Sequence, residues 1–384
     1  MNAASLLPGL PGESRILILR LRSMGDIVLL TPALRLLKEW RGDLRVSVAV
    51  EPRFRHLLEG NPRVDETLSA AQGSGWGKMR EQARLLRTLR ARKFALCLNL
   101  HGGPTSTFLA QFSGARWKVG FEHFRRRMIY DVTIPDARRI LDQTVVHTAE
   151  HQAAALFWLG VPRRPAPPSE LFVTEAGRSA WRKERERLGI APGRDYALLH
   201  PPALYFTKQW PPERFAKLGR YLEDELGVMA VFSCGPGENG SLDEVGKATG
   251  RAIRRVDAPS LATLMAAIAE ARLFVGNDSG PAHVAAALKV PLVVIFGSSN
   301  SKIWRPWAGS GTPHRSEDAP GFAFQTVQNN YDCNPCPGDH CYRFSRPECI
   351  LSVTFEQVRS AVDRVLHEVL QPRAADSAAD RLVQ

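Results

Sequence analysis

The sequence predicts an α/β protein made of two doubly wound, Rossmann-like domains in series. Short β-rich runs alternate with helical patterns in both halves, a proline-rich segment separates the halves, and 384 residues is a natural length for two domains. With 44% hydrophobic and 23% charged residues, the composition is that of a packed globular chain, not a disordered one.

In the first half, RILILRL (15–21) reads as a strand, Ile27 to Trp40 as an amphipathic helix and RVSVAV (45–50) as a second strand. Strand, helix, strand implies parallel pairing through crossovers. The alternation continues with a helix from Trp76 to Arg92, the run FALCLNL (94–100) and a helix from Thr144 to Leu159. VPRRPAPPSE (161–170) follows, and because proline breaks both periodic structures the boundary is expected there, closing an N-terminal domain over 1–165. The second domain, expected over 166–352, restarts with YALLH (196–200) and a helix from Pro211 to Leu226. VMAVFSC (228–234), a helix near Glu238 and another from Ser260 to Glu270 come next, then RLFVG (272–276), a helix opening at Gly280, and PLVVIFG (291–297). Residues 353–384 are expected to form a last helix, Thr354 to Leu370, and a disordered small-polar tail. No repeat of fixed period is present. Two such domains are expected to face a central cleft, with the residues that follow strands at its mouth.

Several classes are disfavoured. No apolar run approaches the roughly 20 residues that cross a bilayer. Residues 1–14 hold no Lys or Arg and no long apolar stretch, so a cytoplasmic chain with mostly reduced cysteines is expected. The net charge of +12 is uneven: residues 1–170 hold 26 Lys/Arg against 15 Asp/Glu, a net +11, and the remainder 25 against 24. The first half is therefore expected to meet something anionic, the alternative being a solvated basic surface.

Three stretches can carry chemistry. After the first strand comes Arg22-Ser23-Met24-Gly25-Asp26, which is neither a dinucleotide fingerprint nor a P-loop. Asp26 there either caps a helix start or serves as a reactive carboxylate. In HPPALYFTKQWP (200–211), Lys208 sits in a loop before a helix, a placement that suits a phosphate and is also common for a surface lysine. In FVGNDSGPAHVAAAL (274–288), Asp278 or Ser279 can cap a helix whose first N–H groups, near Gly280, make an anion site, and His283 falls in its first turn, facing the same ligand or filling the core.

Together RSMGD, TKQWP and GNDSGPAH resemble glycosyltransferase family 9, the ADP-heptose:lipopolysaccharide heptosyltransferases, from about Arg15 to Val369. The resemblance implies a GT-B architecture, with the nucleotide sugar held by the C-terminal domain and the acceptor by the N-terminal one. It implies Asp26 as general base beside Ser23, Met24 and Gly25, Lys208 on the donor diphosphate, and Asp278, Ser279, Gly280 and His283 around the donor. Glu238 is implied for the ribose hydroxyls and Ala258 and Pro259 for the adenine. The donor is then ADP-heptose and the acceptor the phosphorylated, Kdo-bearing core of lipid A at the inner membrane. One loop departs from the family: Pro201-Pro202-Ala203-Leu204 replaces a Ser- or Thr-bearing turn, so Pro202 offers no N–H and Leu204 no hydroxyl.

Sugar transfer needs a base for the acceptor proton and stabilisation of the charge growing on the departing diphosphate. Asp26 meets the first need; Lys208 and the amides of 280–282 meet the second without a metal or other cofactor, and single displacement inverts the anomeric carbon. Arg80, Arg84 and Arg87, at i, i+4, i+7, share a helix face and, with Arg125-Arg126-Arg127 and Arg138-Arg139, are expected to hold acceptor phosphates or anionic lipid. Cys333, Cys336, Cys341 and Cys349 form C-x2-C-x4-C-x7-C, read as packed reduced thiols with structural zinc as the alternative. Other readings are a family 9 enzyme with a different nucleotide sugar and a catalytically silent GT-B scaffold. Nucleic-acid binding is not expected, because no aromatic-interleaved basic motif or paired finger pattern is present.

Overall fold

A computed structural model describes residues 3–70, 73, 75–309, 322–336 and 338–370. The tail beyond Leu370 lies outside the described residues. Contacts divide the chain into two units, Met1–Arg178 with Lys302–Ser310 and Ser179–Ser301 with Gly311–Gln384.

The first unit is a wholly parallel six-stranded sheet of β1 (Arg15–Leu19), β2 (Arg45–Val50), β3 (Glu66–Ser69), β4 (Leu96–Asn99), β5 (Trp117–Phe121) and β6 (Val132–Ile134), in the order β3-β2-β1-β4-β5-β6. Central β1 pairs Ile16 with Val46 on one side and Leu96 on the other, and its buried apolar residues face helices on both sides. Its helices are α1 (Met24–Val28), α2 (Thr31–Trp40), α3 (Gly75–Ala91), α4 (Pro104–Phe112), α5 (Ala137–Leu141) and α6 (Thr148–Trp158). Leu85 and Leu89 of α3 and Leu109 and Ala110 of α4 pack with Leu17, Leu19 and Cys97 in one core cluster.

The helix expected over 27–40 is two helices. Pro32 has no N–H to donate to the Val28 carbonyl; the Thr31 hydroxyl donates there instead, at 2.8 Å, and the chain restarts as α2. The helix expected from Thr144 begins at Thr148, where His147 caps it by accepting the Ala149 N–H at 3.1 Å.

The second unit repeats the plan. β7 (Tyr196–His200), β8 (Met229–Cys234), β9 (Arg254–Asp257), β10 (Leu273–Asn277), β11 (Leu292–Phe296) and β12 (Phe324–Gln328) lie in the order β12-β11-β10-β7-β8-β9, again all parallel. The helices are α7 (Glu175–Arg187), α8 (Pro212–Asp224), α9 (Asn239–Thr249), α10 (Leu261–Ala269), α11 (Gly280–Ala287), α13 (Glu348–Leu351) and α14 (Phe355–Leu370), while the short α12 (Ser301–Trp304) falls almost wholly in the first unit. Rather than standing apart, α14 buries Val358, Val362 and Val365 in the same core as Phe215, Val275 and Val293.

The proline-rich segment stays with the first unit instead of beginning the second. Trp307 Nε1 donates to the Pro167 carbonyl at 2.8 Å, and the Glu170 N–H donates to Thr31 Oγ1 at 3.0 Å, so the division falls after Arg178. Among the described residues, no helix is long and apolar enough to cross a membrane.

Candidate active site

In sheets of this order the connections diverge between β1 and β4 in the first unit and between β7 and β10 in the second. Ligands of doubly wound folds bind beyond the carboxyl ends of such strand pairs. Asp26 lies at the first of these places and Lys208 and Asp278 at the second, whereas Glu238 follows β8 and Ala258 and Pro259 follow β9.

In the first unit, Arg20 follows β1 directly. Its guanidinium donates both to the Leu100 carbonyl, just past β4, and to Asp26 Oδ1. Asp26 is the third residue of α1, and its Oδ2 accepts the Ser23 N–H at 3.0 Å and the Ser23 hydroxyl at 2.9 Å. The carboxylate thus performs the helix-start role and is aimed by an arginine as well. Met24 and Gly25 complete this first turn. Gln152 of α6 holds the Asp26 backbone carbonyl at 3.1 Å, while its own Oε1 is buried without a partner among the described residues. His101, two residues past β4, has its pKa lowered by burial and then by Arg20 and Arg22, with Asp26 opposing. Burial, His123 and Arg20 push His151 down to about 4.

In the second unit, β7 ends at His200 and the chain runs through Leu204, 83% exposed, into a tight turn over Phe206–Lys208. Lys208 Nζ lies 2.8 Å from Asp278 Oδ2; the lysine is partly exposed and the carboxylate buried. The pair joins the loop after β7 to the loop after β10. Buried Asn277 fixes both loops: its Nδ2 donates to the Pro201 carbonyl at 2.6 Å and its Oδ1 accepts the Trp210 N–H at 3.1 Å. Gly297 lets the turn approach, since a Cβ there would stand 2.3 Å from the Thr207 carbonyl. Beneath the turn, His200 is fully buried against Ser233 Oγ at 3.0 Å, and burial pushes it down to about 4.

Of the amides expected at 280–282, one is left without a partner among the described residues. Pro281 has no N–H, and the Ala282 N–H donates to the Ser279 carbonyl at 3.2 Å, which leaves Gly280. Ser279 Oγ is buried without a partner among the described residues, and His283 is buried in the first turn of α11. Glu238 turns back on its own loop, accepting the Gly235 N–H at 2.7 Å. Ala258, before Pro259 at the end of β9, holds φ +45°, a left-handed conformation unusual for a residue with a Cβ. Arg80, Arg84 and Arg125 stand exposed and form no ion pair with a described residue.

Cys333, Cys336, Cys341 and Cys349 line one cavity of about 210 Å³ with Thr207 and Ser298. All are free thiols, and burial together with the neighbouring sulfurs pushes Cys349 up to about 11. Among the described residues, no group of three His, Cys, Asp or Glu side chains is placed to hold a metal ion. The Cys336 N–H donates to the Ser298 carbonyl at 3.1 Å, and Thr207 Oγ1 donates to the Gly338 carbonyl, so the cysteine loop supports the Lys208 turn.

Sequence reasoning missed Arg20, His101, Gln152 and Asn277. Arg20, His101 and Asn277 carried a usable signal, being polar residues at or directly after strand runs; Gln152 reaches Asp26 from 126 residues away and carried none.

Residues 82–331 match the model of "Glycosyltransferase family 9 (heptosyltransferase)". The chain is 27% identical over 302 residues to lipopolysaccharide heptosyltransferase 3 of Escherichia coli K12, covering 75% of this chain and 83% of that protein. Among solved structures it is similar to a glycosyl transferase family 9 protein of Veillonella parvula, with TM-score 0.78 and 21% identity over 95% of this chain and 99% of that one. It is also similar to E. coli ADP-heptose lps heptosyltransferase II, with TM-score 0.72 and 20% identity over 92% and 99%. These likenesses identify the two-sheet fold as GT-B.

Proposed function

Since the chain belongs to glycosyltransferase family 9, we propose that it moves a heptose from ADP-heptose to the Kdo/heptose inner core of lipopolysaccharide, with inversion and without a metal. The relative named above, a lipopolysaccharide heptosyltransferase, supports this substrate class. The observation that carries the reading is the Lys208–Asp278 pair spanning the loops after β7 and β10, beside the buried Ser279 hydroxyl and the Gly280 N–H.

Lys208, partly exposed, offers its ammonium to the diphosphate, while buried Asp278 holds the lysine in place. Asp26 Oδ1 or Oδ2 takes the proton of the attacking acceptor hydroxyl. The new C–O bond forms as the bond to the diphosphate breaks, and the electron pair leaves with ADP, where Lys208, Ser279 Oγ and the Gly280 N–H meet the added charge. Glu238, Ala258 and Pro259 are the proposed nucleoside contacts, and Ser23, Met24 and Gly25 the proposed acceptor contacts. A lipid-anchored acceptor places the enzyme in the cytoplasm, peripheral to the inner membrane.

Calorimetric titration with ADP, UDP and GDP, then ADP-heptose, on native protein and Lys208→Ala tests the reading. Preference for ADP that weakens in the variant is expected. The 201–204 loop favours one second reading, a family 9 enzyme with another nucleotide sugar, because Pro202 and exposed Leu204 offer no donor to a phosphate or hydroxyl. Preference for UDP or GDP would select it, and absence of nucleotide binding would select a silent scaffold.

A further inference from the structure

We propose that the outer face of α3, continued by the loop at 125–128, is a docking surface for an anionic lipid bilayer, a reading that rests on the lipid-anchored acceptor proposed above. On α3 only Leu85 and Leu89 are buried. At helical spacing the opposite face presents Trp76, Met79, Arg80 and Arg87, with Arg84 beside them. Trp76 is 79% exposed and Met79 59%, and Met128, next to Arg125-Arg126-Arg127, is 96% exposed. Phe124 and Ile129, which flank that arginine loop, pack on the same core cluster as Leu85 and Leu89, so helix and loop cover one side of the sheet. Arg90 Nε also ties α3 to the end of α4, donating to the Phe112 carbonyl at 3.1 Å.

Most arginines elsewhere in the unit are held by carboxylates, and those of this face are not. Arg35, Arg41, Arg45, Arg63 and Arg92 each pair with a carboxylate. Arg80, Arg84, Arg87, Arg125, Arg126 and Arg127 pair with none among the described residues, and they share the helix face of exposed Trp76 and Met79 or directly precede exposed Met128. A merely solvated basic face needs no tryptophan or methionine at its tips. A bilayer uses both kinds of side chain: guanidiniums bind lipid phosphates, and apolar tips enter the interface, where tryptophan is favoured. Either signal alone gives weak, reversible binding, and the combination gives stable attachment.

The test is co-sedimentation of the full chain, without donor or acceptor, with phosphatidylcholine vesicles and with vesicles doped with phosphatidylglycerol. Binding only to the anionic vesicles is expected, with loss at high salt. Arg80→Glu/Arg84→Glu/Arg87→Glu should weaken it by ~10²-fold, from roughly fivefold per basic residue. Trp76→Ala/Met79→Ala should weaken it by ~10-fold while ADP affinity, read from residues of the other unit, stays unchanged. Trp76→Phe should abolish a vesicle-induced blue shift of the emission. Melting temperatures identify any variant that fails to fold, and Trp76→Phe then carries the test. Native protein that ignores anionic vesicles, or variants that bind them as the native chain does, would overturn the proposal. Displacement by a soluble phosphorylated disaccharide would overturn it too, showing a sugar-phosphate subsite. The nucleotide titration uses no membrane, so failure of the docking face and failure of the transferase reading are separately visible.

Discussion

The two sheets share one strand order, yet the same place in each holds a charge pair of different construction. In the first unit the pair is local: Arg20, directly after β1, and Asp26, in the first turn of α1, lie six residues apart, and Arg20 reaches across only to the Leu100 carbonyl. In the second the pair itself spans the divergence, Lys208 from the β7 loop meeting Asp278 from the β10 loop, 70 residues apart. The first arrangement leaves an aimed carboxylate that can accept a proton, and the second leaves a cation backed by a buried anion. On the proposed function, one scaffold presents a base in one copy and an electrophilic clamp in the other, which is the division of labour that group transfer from a diphosphate requires.

The sharpest way to break that comparison is to remove the proposed base. Asp26→Ala should lower turnover by ~10³-fold, about 4 kcal/mol in the barrier, with ADP affinity unchanged by calorimetry. A large loss of ADP affinity would mean that the first unit's pair also serves the donor, and the division of labour would fail.

The contrast also explains what was legible in the sequence. Strands β1, β2, β4, β7, β8, β10 and β11 announce themselves as apolar runs because parallel central strands are buried on both faces. The edge strands β3 (ETLS), β6 (VTI) and β9 (RRVD) are short and partly exposed, so their residues carry little apolar signal, and they went unpredicted with β5 and β12. Helix α7 was missed because it is strongly charged and rests mainly on buried Trp181. At the site, Asp26, Lys208 and Asp278 stood out by following strands. What they touch depends on contacts between distant segments, as with Asn277 and Pro201, 76 residues apart, and no local pattern encodes those.

Acid should probe the second unit from below. His200 is held near 4 by burial against an ordinary value of 6.5. Above pH 6.5 folded and unfolded chains are both neutral there, and the full contribution is present. Between 6.5 and 4 the unfolded chain takes a proton that the folded chain refuses, so stability falls, by up to about 3 kcal/mol. Thermal melts from pH 7 to 4.5 should show this decline, and His200→Asn should flatten it. An unchanged slope in that variant would transfer the acid sensitivity to His151, which burial also holds near 4, in the first unit.

A smaller effect is expected at the clamp. Lys208→Ala removes the proposed charge-assisted contact with the diphosphate and leaves buried Asp278 unpaired, so ADP affinity should fall by ~10- to 100-fold, about 2 kcal/mol. Lys208→Ala/Asp278→Ala should recover part of that loss, because the stranded anion is gone as well. Loss in the double variant equal to or greater than in the single would show that Asp278 acts on the ligand in its own right, not only by holding the lysine.

The smallest effect is expected at Arg20, and it decides how the first unit's pair works. Arg20 holds two partners on loops from different strands, which a planar guanidinium can do and an ammonium on a flexible stem does less well. If it only aims the Asp26 carboxylate, Arg20→Gln should lower kcat by ~10-fold, about 1 kcal/mol, and leave the donor KM alone, with Arg20→Lys recovering part of the rate. Ser23 still holds Oδ2 through its N–H and hydroxyl, which is why the loss stays below that of deleting the carboxylate. A loss as large as that of Asp26→Ala would place Arg20 at the reacting atoms, and a raised donor KM would mean that both units supply cations to the diphosphate.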